Sequence, residues 1–221
     1  MLQWYSTWTG GIFIPLFAHS CNCAFADMGL GLGGDTLKST AEDLLFNRAL
    51  PLNSYKTSRF TLDKDSPNAL VMQTSIGQGN TLVSPMHMAL ITSAIANDGV
   101  LMKPTMIDKI VNNSGDTVRE TEKTEYKRLM TRNEANILGK LMKNVVENGT
   151  ASALNGRGYT VAGKTGSAEF DENGSSHSWF VGYSNVDDPD IAIAVIVENG
   201  GTGSEAAVPI AADVFDAYYF D

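Results

Sequence analysis

Cysteine is scarce in this chain: Cys21 and Cys23 are the only two in 221 residues. Two positions apart, they are poorly placed for a mutual disulfide, and they are expected to be free, partly buried thiols. With no CxxC and no Cys/His cluster, the sequence argues against zinc. His19, His87 and His177 are scattered, so each is expected to serve structure rather than a metal. No cofactor is expected. Long apolar runs are missing too. Gly11–Ala18 falls well short of the ~20 residues of a membrane span, and Met1–Tyr5 has no basic stretch of the kind that opens a signal peptide. Either the protein is cytoplasmic or a targeting segment lies outside this chain. Basic charge is also in short supply: the net charge of −9 argues against a nucleic-acid partner. No Lys or Arg follows Lys164, whereas eleven acidic residues do.

What is present is an ordinary globular composition, 43% hydrophobic and 19% charged, with length enough for one sizeable domain or a tight pair. Residues 1–16 are left unassigned, because Trp4, Tyr5 and Trp8 are followed by Gly10-Gly11 and a run broken by Pro15. Ser20 is expected to N-cap a short apolar helix, Cys21–Leu30, stopped by the glycines of 29–34. Thr36–Asn47 reads as a second helix, Pro51–Asn68 as a surface excursion and Ala69–Ile76 as a short apolar segment. Ser75–Asn80 is glycine-rich but lacks the lysine of a phosphate loop, so a tight turn is expected there.

Ser84 and Pro85 mark a helix start and Asn97-Asp98-Gly99 its end. Val100–Asn112 reads as extended, residues 112–116 as a turn, and the charged run to Lys127 as a solvated face. Thr131-Arg132-Asn133-Glu134 is a capping box that opens a helix with Ile137, Leu138, Leu141, Met142, Val145 and Val146 at helical spacing, stopped by Asn148-Gly149. Ile191–Val197 is expected to be a strand buried on both faces, and Glu205–Tyr219 a closing helix.

Between these lie Tyr159–Phe170 and His177–Tyr183, two apolar runs joined by the polar turn 171–176, which is a β-hairpin signal. Strand alternation sends Lys164 and Gly166 to one face and Thr165 and Ser167 to the other. Glycine at 166 lets a ligand backbone lie close, and an isolated cation beside it suits a carboxylate. The expected class is α+β, a helical block and an antiparallel sheet closed by a helix, with a ligand groove between block and sheet.

Lys164-Thr165-Gly166 on a strand, with Ser20-x-Asn22 at a helix start, resembles two of the three signature motifs of penicillin-binding proteins and serine β-lactamases. The flanks strengthen the resemblance: Gly149-Thr150-Ala151 before Val161–Glu169, the strand Trp179–Tyr183, and the stretches Ala18–Phe25, Ser75–Gly79 and Ser84–Ala89 in the same order. The best likeness is to class B transpeptidases, over residues 17–221 as a partial transpeptidase domain. The resemblance implies serine acyl transfer on D-Ala-D-Ala stem peptides of peptidoglycan or on β-lactams. It casts Ser20 as a proton relay, Asn22 as holding the substrate amide and Lys164 as positive potential beside the relay. Thr165 and Ser167 would grip the substrate carboxylate, with Gly166 between them. The Ser167 N–H would be half of an oxyanion hole, a donor type worth ~3–4 kcal/mol in the transition state. It also places the parent protein on the extracytoplasmic face of the bacterial membrane, with other cell-wall synthesis proteins as possible partners.

The third motif, Ser-x-x-Lys, departs from the pattern: no lysine here has a serine three positions before it. The expectation is therefore the C-terminal portion of a transpeptidase, inactive alone. The alternatives are a degenerate binding domain, and a β-lactamase or β-lactam sensor.

Overall fold

The computed structural model describes residues 11–52, 57–170 and 176–220. Among the described residues five helices come first: α1 (Phe13–Ala18), α2 (Asn22–Leu32), α3 (Gly34–Asp43), α4 (Asn68–Ser75) and α5 (Pro85–Ala96). Two small antiparallel ribbons follow, β1 (Val100–Met102) with β4 (Glu125–Arg128) and β2 (Lys109–Val111) with β3 (Thr117–Glu120). Helix α6 (Arg132–Asn148) leads into a three-stranded antiparallel sheet of β5 (Val161–Glu169), β6 (Ser176–Ser184) and β7 (Ile191–Val197), in that order. A turn of π-helix at Gly203–Ala207 runs into α7 (Val208–Phe220). The α+β architecture is the one expected.

Local chemistry sets the best-defined ends. Ser84 Oγ accepts from the His87 N–H at 3.2 Å, with Pro85 at the first helical position of α5. At α6 the capping box is complete: Glu134 takes the Thr131 N–H at 2.8 Å, and Thr131 Oγ1 takes the Glu134 N–H at 3.2 Å. Such a cap is worth about 1 kcal/mol.

The core forms where the sheet meets helices on its two faces. Val161 and Phe180 pack with Val208, Ala211 and Phe215 of α7, while Ala162 and Tyr183 pack with Met142 of α6. The β5–β6 register is regular from Val161↔Ser184 to Glu169↔Ser176. Lys164 and Gly166 therefore share the α6 face with Ala162, and Thr165 and Ser167 the α7 face with Val161, as strand alternation predicts. A separate helical core of Leu45, Leu50, Leu90, Ala94, Leu101 and Leu129 joins α5 to the first ribbon.

Several expectations change. Helix α3 ends at Asp43 rather than Asn47, because Leu45 and Asn47 adopt left-handed backbone at φ 73° and 58°. Among the described residues of 51–68 most are exposed, as a surface excursion requires, but Leu62 is 1% exposed and Arg59 pairs with Leu82, which ties that part of the excursion to the fold. Residues 69–75 fall within a helix, α4, and Ile76 is its C-cap. The charged stretch after 116 forms the exposed strands β3 and β4. Strand β7 is half-buried along its whole length, since its outer edge has no strand beside it among the described residues. Residues 13–16, left unassigned from the sequence, belong to α1. The turn residues 171–175 and Trp4, Tyr5 and Trp8 lie outside the described residues.

His87 links chemistry to stability. It is fully buried against Phe46, and its Nε2 meets the Leu44 carbonyl at 2.7 Å, while Nδ1 has no partner among the described residues. Burial holds its pKa below 6.5. The folded chain resists a proton that the unfolded chain accepts, so stability is full above pH 6.5 and declines as pH falls below it. Chemical denaturation at pH 7.5 and 5.5 checks this: His87→Leu is expected to lose less stability over that interval than the parent chain. Equal losses would assign the acid sensitivity elsewhere.

Candidate active-site walls

The site begins at the corner between α1 and α2. Helix α1 closes with the His19 N–H on the Pro15 carbonyl at 3.0 Å and the Cys21 N–H on the Leu16 carbonyl at 2.9 Å. Ser20 sits in the left-handed region at φ 54°. Ser20 is therefore not the N-cap of the next helix; Cys21 holds that place and makes no side-chain cap. The left-handed turn aims the Ser20 hydroxyl away from the α2 amides and into hydrogen-bond contact with Lys164 Nζ, 144 residues later. Asn22 follows as the first residue of α2 and is exposed. Cys21 is half-buried and Cys23 exposed, and both are free.

Lys164 rises from β5 to meet this corner. Its ammonium also donates to the Thr165 carbonyl at 3.0 Å and lies 5.8 Å from the centre of the Phe17 ring, a cation–π distance. Among the described residues no carboxylate pairs with it. Burial without a counter-charge pulls its pKa down to about 8. Near neutral pH the group is thus mostly protonated, yet its proton is held far more loosely than that of an ordinary lysine.

The hydroxyls of the strand are held from the other face. Thr165 Oγ1 lies 2.5 Å from Thr150 Oγ1. The Thr150 N–H in turn donates to the Ala18 carbonyl at 3.2 Å, so one residue joins the Ser20 corner to the lysine strand. Ser167 Oγ accepts from the Gly203 N–H at 3.2 Å, which leaves the serine's own proton available. Gly203 fits there because it has no Cβ; one would stand 2.6 Å from the Trp179 carbonyl and 2.8 Å from that of Gly166. From the helical block, Gln78 Nε2 donates to the Ser167 carbonyl at 3.2 Å. Its turn is built on left-handed Gly77 and Gly79, at φ 84° and 76°, as the glycine spacing predicts.

The structure therefore brings Ser20, Lys164, Thr165, Gly166 and Ser167 into one region, with Asn22 at its rim. Thr150, Gln78 and Phe17 join them without having been singled out from sequence. Thr150 and Gln78 did fall in motif flanks, which was the one signal available. A cavity of about 830 Å³ lies elsewhere, between α5, α6 and the β6–β7 turn, lined among others by Ile95, Ala96, Lys140, Tyr183 and Asp190. It touches none of the site residues, so the hydrogen-bonded walls rather than that cavity define the candidate site.

Comparison with known proteins gives a consistent answer. Residues 14–216 match the family described as the penicillin binding protein transpeptidase domain. The chain is 31% identical over 205 residues to the peptidoglycan D,D-transpeptidase PbpA of Mycolicibacterium smegmatis, covering 88% of this chain and 41% of that protein. It is 32% identical over 188 residues to penicillin-binding protein 3 of Bacillus subtilis, covering 81% and 27%. Among solved structures, the D,D-transpeptidase domain of a peptidoglycan glycosyltransferase from Eggerthella lenta aligns with a TM-score of 0.80 at 28% identity, over 92% of this chain and 52% of that one. Penicillin-binding protein A of Mycobacterium tuberculosis, as an imipenem acyl-enzyme complex, aligns with a TM-score of 0.81 at 28% identity, over 92% and 46%. The chain thus spans less than half the length of these two curated relatives.

Proposed function

The chain belongs to the penicillin-binding protein transpeptidase family, and from that membership we propose that it supplies the substrate-binding walls of a peptidoglycan D,D-transpeptidase. The substrate is a stem peptide ending in D-Ala-D-Ala, and β-lactams occupy the same walls. The parent enzyme works on the extracytoplasmic face of the bacterial membrane. Among the described residues no helix is long and apolar enough to cross a membrane.

The observation that carries this proposal is the contact of Lys164 with Ser20. A buried, unpaired ammonium is costly, and its cost falls when an anion arrives. Lys164, at a pKa of about 8, supplies positive potential to a substrate carboxylate. It also polarises the Ser20 hydroxyl, which relays a proton toward the leaving amine. Asn22 holds the substrate amide. The Thr165 and Ser167 hydroxyls, each already steadied by a neighbour, donate to the carboxylate, and the Ser167 N–H meets the oxyanion. Other cell-wall synthesis proteins are the expected company of the parent enzyme.

No residue of this chain is assigned the acyl-accepting role, since the sequence has no Ser-x-x-Lys. Incubation with a fluorescent penicillin followed by intact-mass measurement is expected to give no covalent adduct. Under the same conditions, N-acetyl-D-alanyl-D-alanine is expected to shift the amide resonances of Ser20, Lys164 and Ser167. An adduct on any serine would overturn the first statement, and unshifted resonances at millimolar ligand the second.

A further inference from the structure

Strand β5 is an edge of its sheet, so one side of its backbone has no strand partner among the described residues. In an antiparallel strand the N–H and C=O of a residue leave on the same side, and alternate residues share that side. Ser167 faces the open side, because its carbonyl is met by Gln78 from the helical block rather than by β6. Thr165 faces the same way, and its carbonyl is met by Lys164 Nζ. The free edge therefore has its carbonyls at 165 and 167 already closed by internal donors, while the Ser167 N–H looks outward.

That asymmetry selects ligands. An extended peptide laid along a strand edge exchanges two hydrogen bonds with the residue it faces, giving a carbonyl to the N–H and an N–H to the carbonyl. Here the first half is open and the second is occupied. The occupant is only a side chain. Its backbone is pinned by the Gln78 N–H on the Gln73 carbonyl at 2.9 Å and the Gly77 N–H on the Thr74 carbonyl at 3.0 Å. The amide can swing away without disturbing the turn that carries it.

We propose that Gln78 is a gate on the peptide edge of β5: it caps the Ser167 carbonyl in the free chain and is displaced by a ligand amide N–H. The inference rests on the carboxylate-site assignment above and adds a specificity residue to it. A ligand residue that docks its carbonyl on the Ser167 N–H and carries its own N–H must exchange one hydrogen bond for another. A ligand with no N–H there leaves Gln78 in place.

The test uses two probes on the full chain, N-acetyl-D-alanyl-D-alanine and the same peptide methylated on the nitrogen of its penultimate residue. Affinities are read by NMR titration of the Ser167 and Lys164 amides for the parent chain, Gln78→Met and Gln78→Ala. Gln78→Met keeps the length of the side chain and removes the donor. Because a single hydrogen bond contributes about 0.5–1.5 kcal/mol, both variants are expected to bind the N–H probe roughly two- to tenfold tighter than the parent chain. The methylated probe is expected to bind all three proteins equally. Unchanged or weaker binding of the N–H probe to the variants overturns the gate, as does an equal gain for the methylated probe. If neither probe binds any of the three proteins, the carboxylate site itself is wrong and the gate falls with it.

Discussion

Lys164→Met is expected to weaken binding of D-alanyl-D-alanine carboxylates to this chain by tenfold or more, the largest functional effect of any single side chain here. The ammonium is mostly shielded from water and has no acidic partner among the described residues, so an arriving carboxylate meets a charge that little else screens. Hydrogen bonds to charged groups contribute roughly 1.5–3 kcal/mol, which is about ten- to a hundredfold in affinity. Methionine keeps most of the apolar volume against Phe17, so the loss reads out charge rather than packing. The pH dependence follows with a definite sign. Lys164 has a pKa of about 8 in the free chain and holds its proton more firmly once a carboxylate is bound. Affinity is therefore flat below about pH 7 and falls as pH rises through 8, approaching tenfold per unit until the pKa of the bound state is reached. Titrations at pH 6.5, 7.5, 8.5 and 9.5 check it. A flat profile, or one matched by Lys164→Met, would remove Lys164 from the site.

Gly149→Ala is expected to damage both the stability of the chain and the candidate site with a single methyl group. Gly149 ends α6 in extended backbone at φ −127°, ψ −151°, so conformational freedom is not why glycine is needed. Space is. A Cβ there would stand 2.3 Å from the Ala18 carbonyl oxygen and 2.9 Å from that of Val145. Both obstacles are backbone, so neither can rotate away. Overpacking of this kind costs roughly 2–3 kcal/mol, or several degrees of melting temperature for a chain of this size. Relief would come by pushing the Ala18–Ser20 corner outward, breaking the Thr150 N–H bond to Ala18 and drawing Ser20 off Lys164. Thermal melts together with the Ser20 and Lys164 resonances check both halves. An unchanged melting temperature with unshifted resonances would show that the corner yields freely.

The parts of the fold that sequence made legible share one property: their causes lie within a few residues. Ser84-Pro85 and Thr131–Glu134 start their helices through bonds spanning three residues. Period-two alternation put Lys164 and Thr165 on opposite faces of a regular hairpin. The motif flanks of the resemblance likewise lie in short contiguous stretches. Ser20 shows where this legibility stops. Its residue type and position before a helix suit an N-cap equally well, and nothing local distinguishes that role from a left-handed corner.

The α+β class, the family resemblance, the lack of a Ser-x-x-Lys and the place of Lys164 as the last Lys or Arg are all readable from the order of the residues. The direction of the Ser20 hydroxyl, the lowering of the Lys164 pKa by burial, and the place of Thr150 and Gln78 beside the candidate site emerge only from the folded chain. The physical reason is separation. These features depend on contacts between residues 15, 89 and 144 positions apart and on the exclusion of water around one ammonium. Helix and strand propensities encode neither.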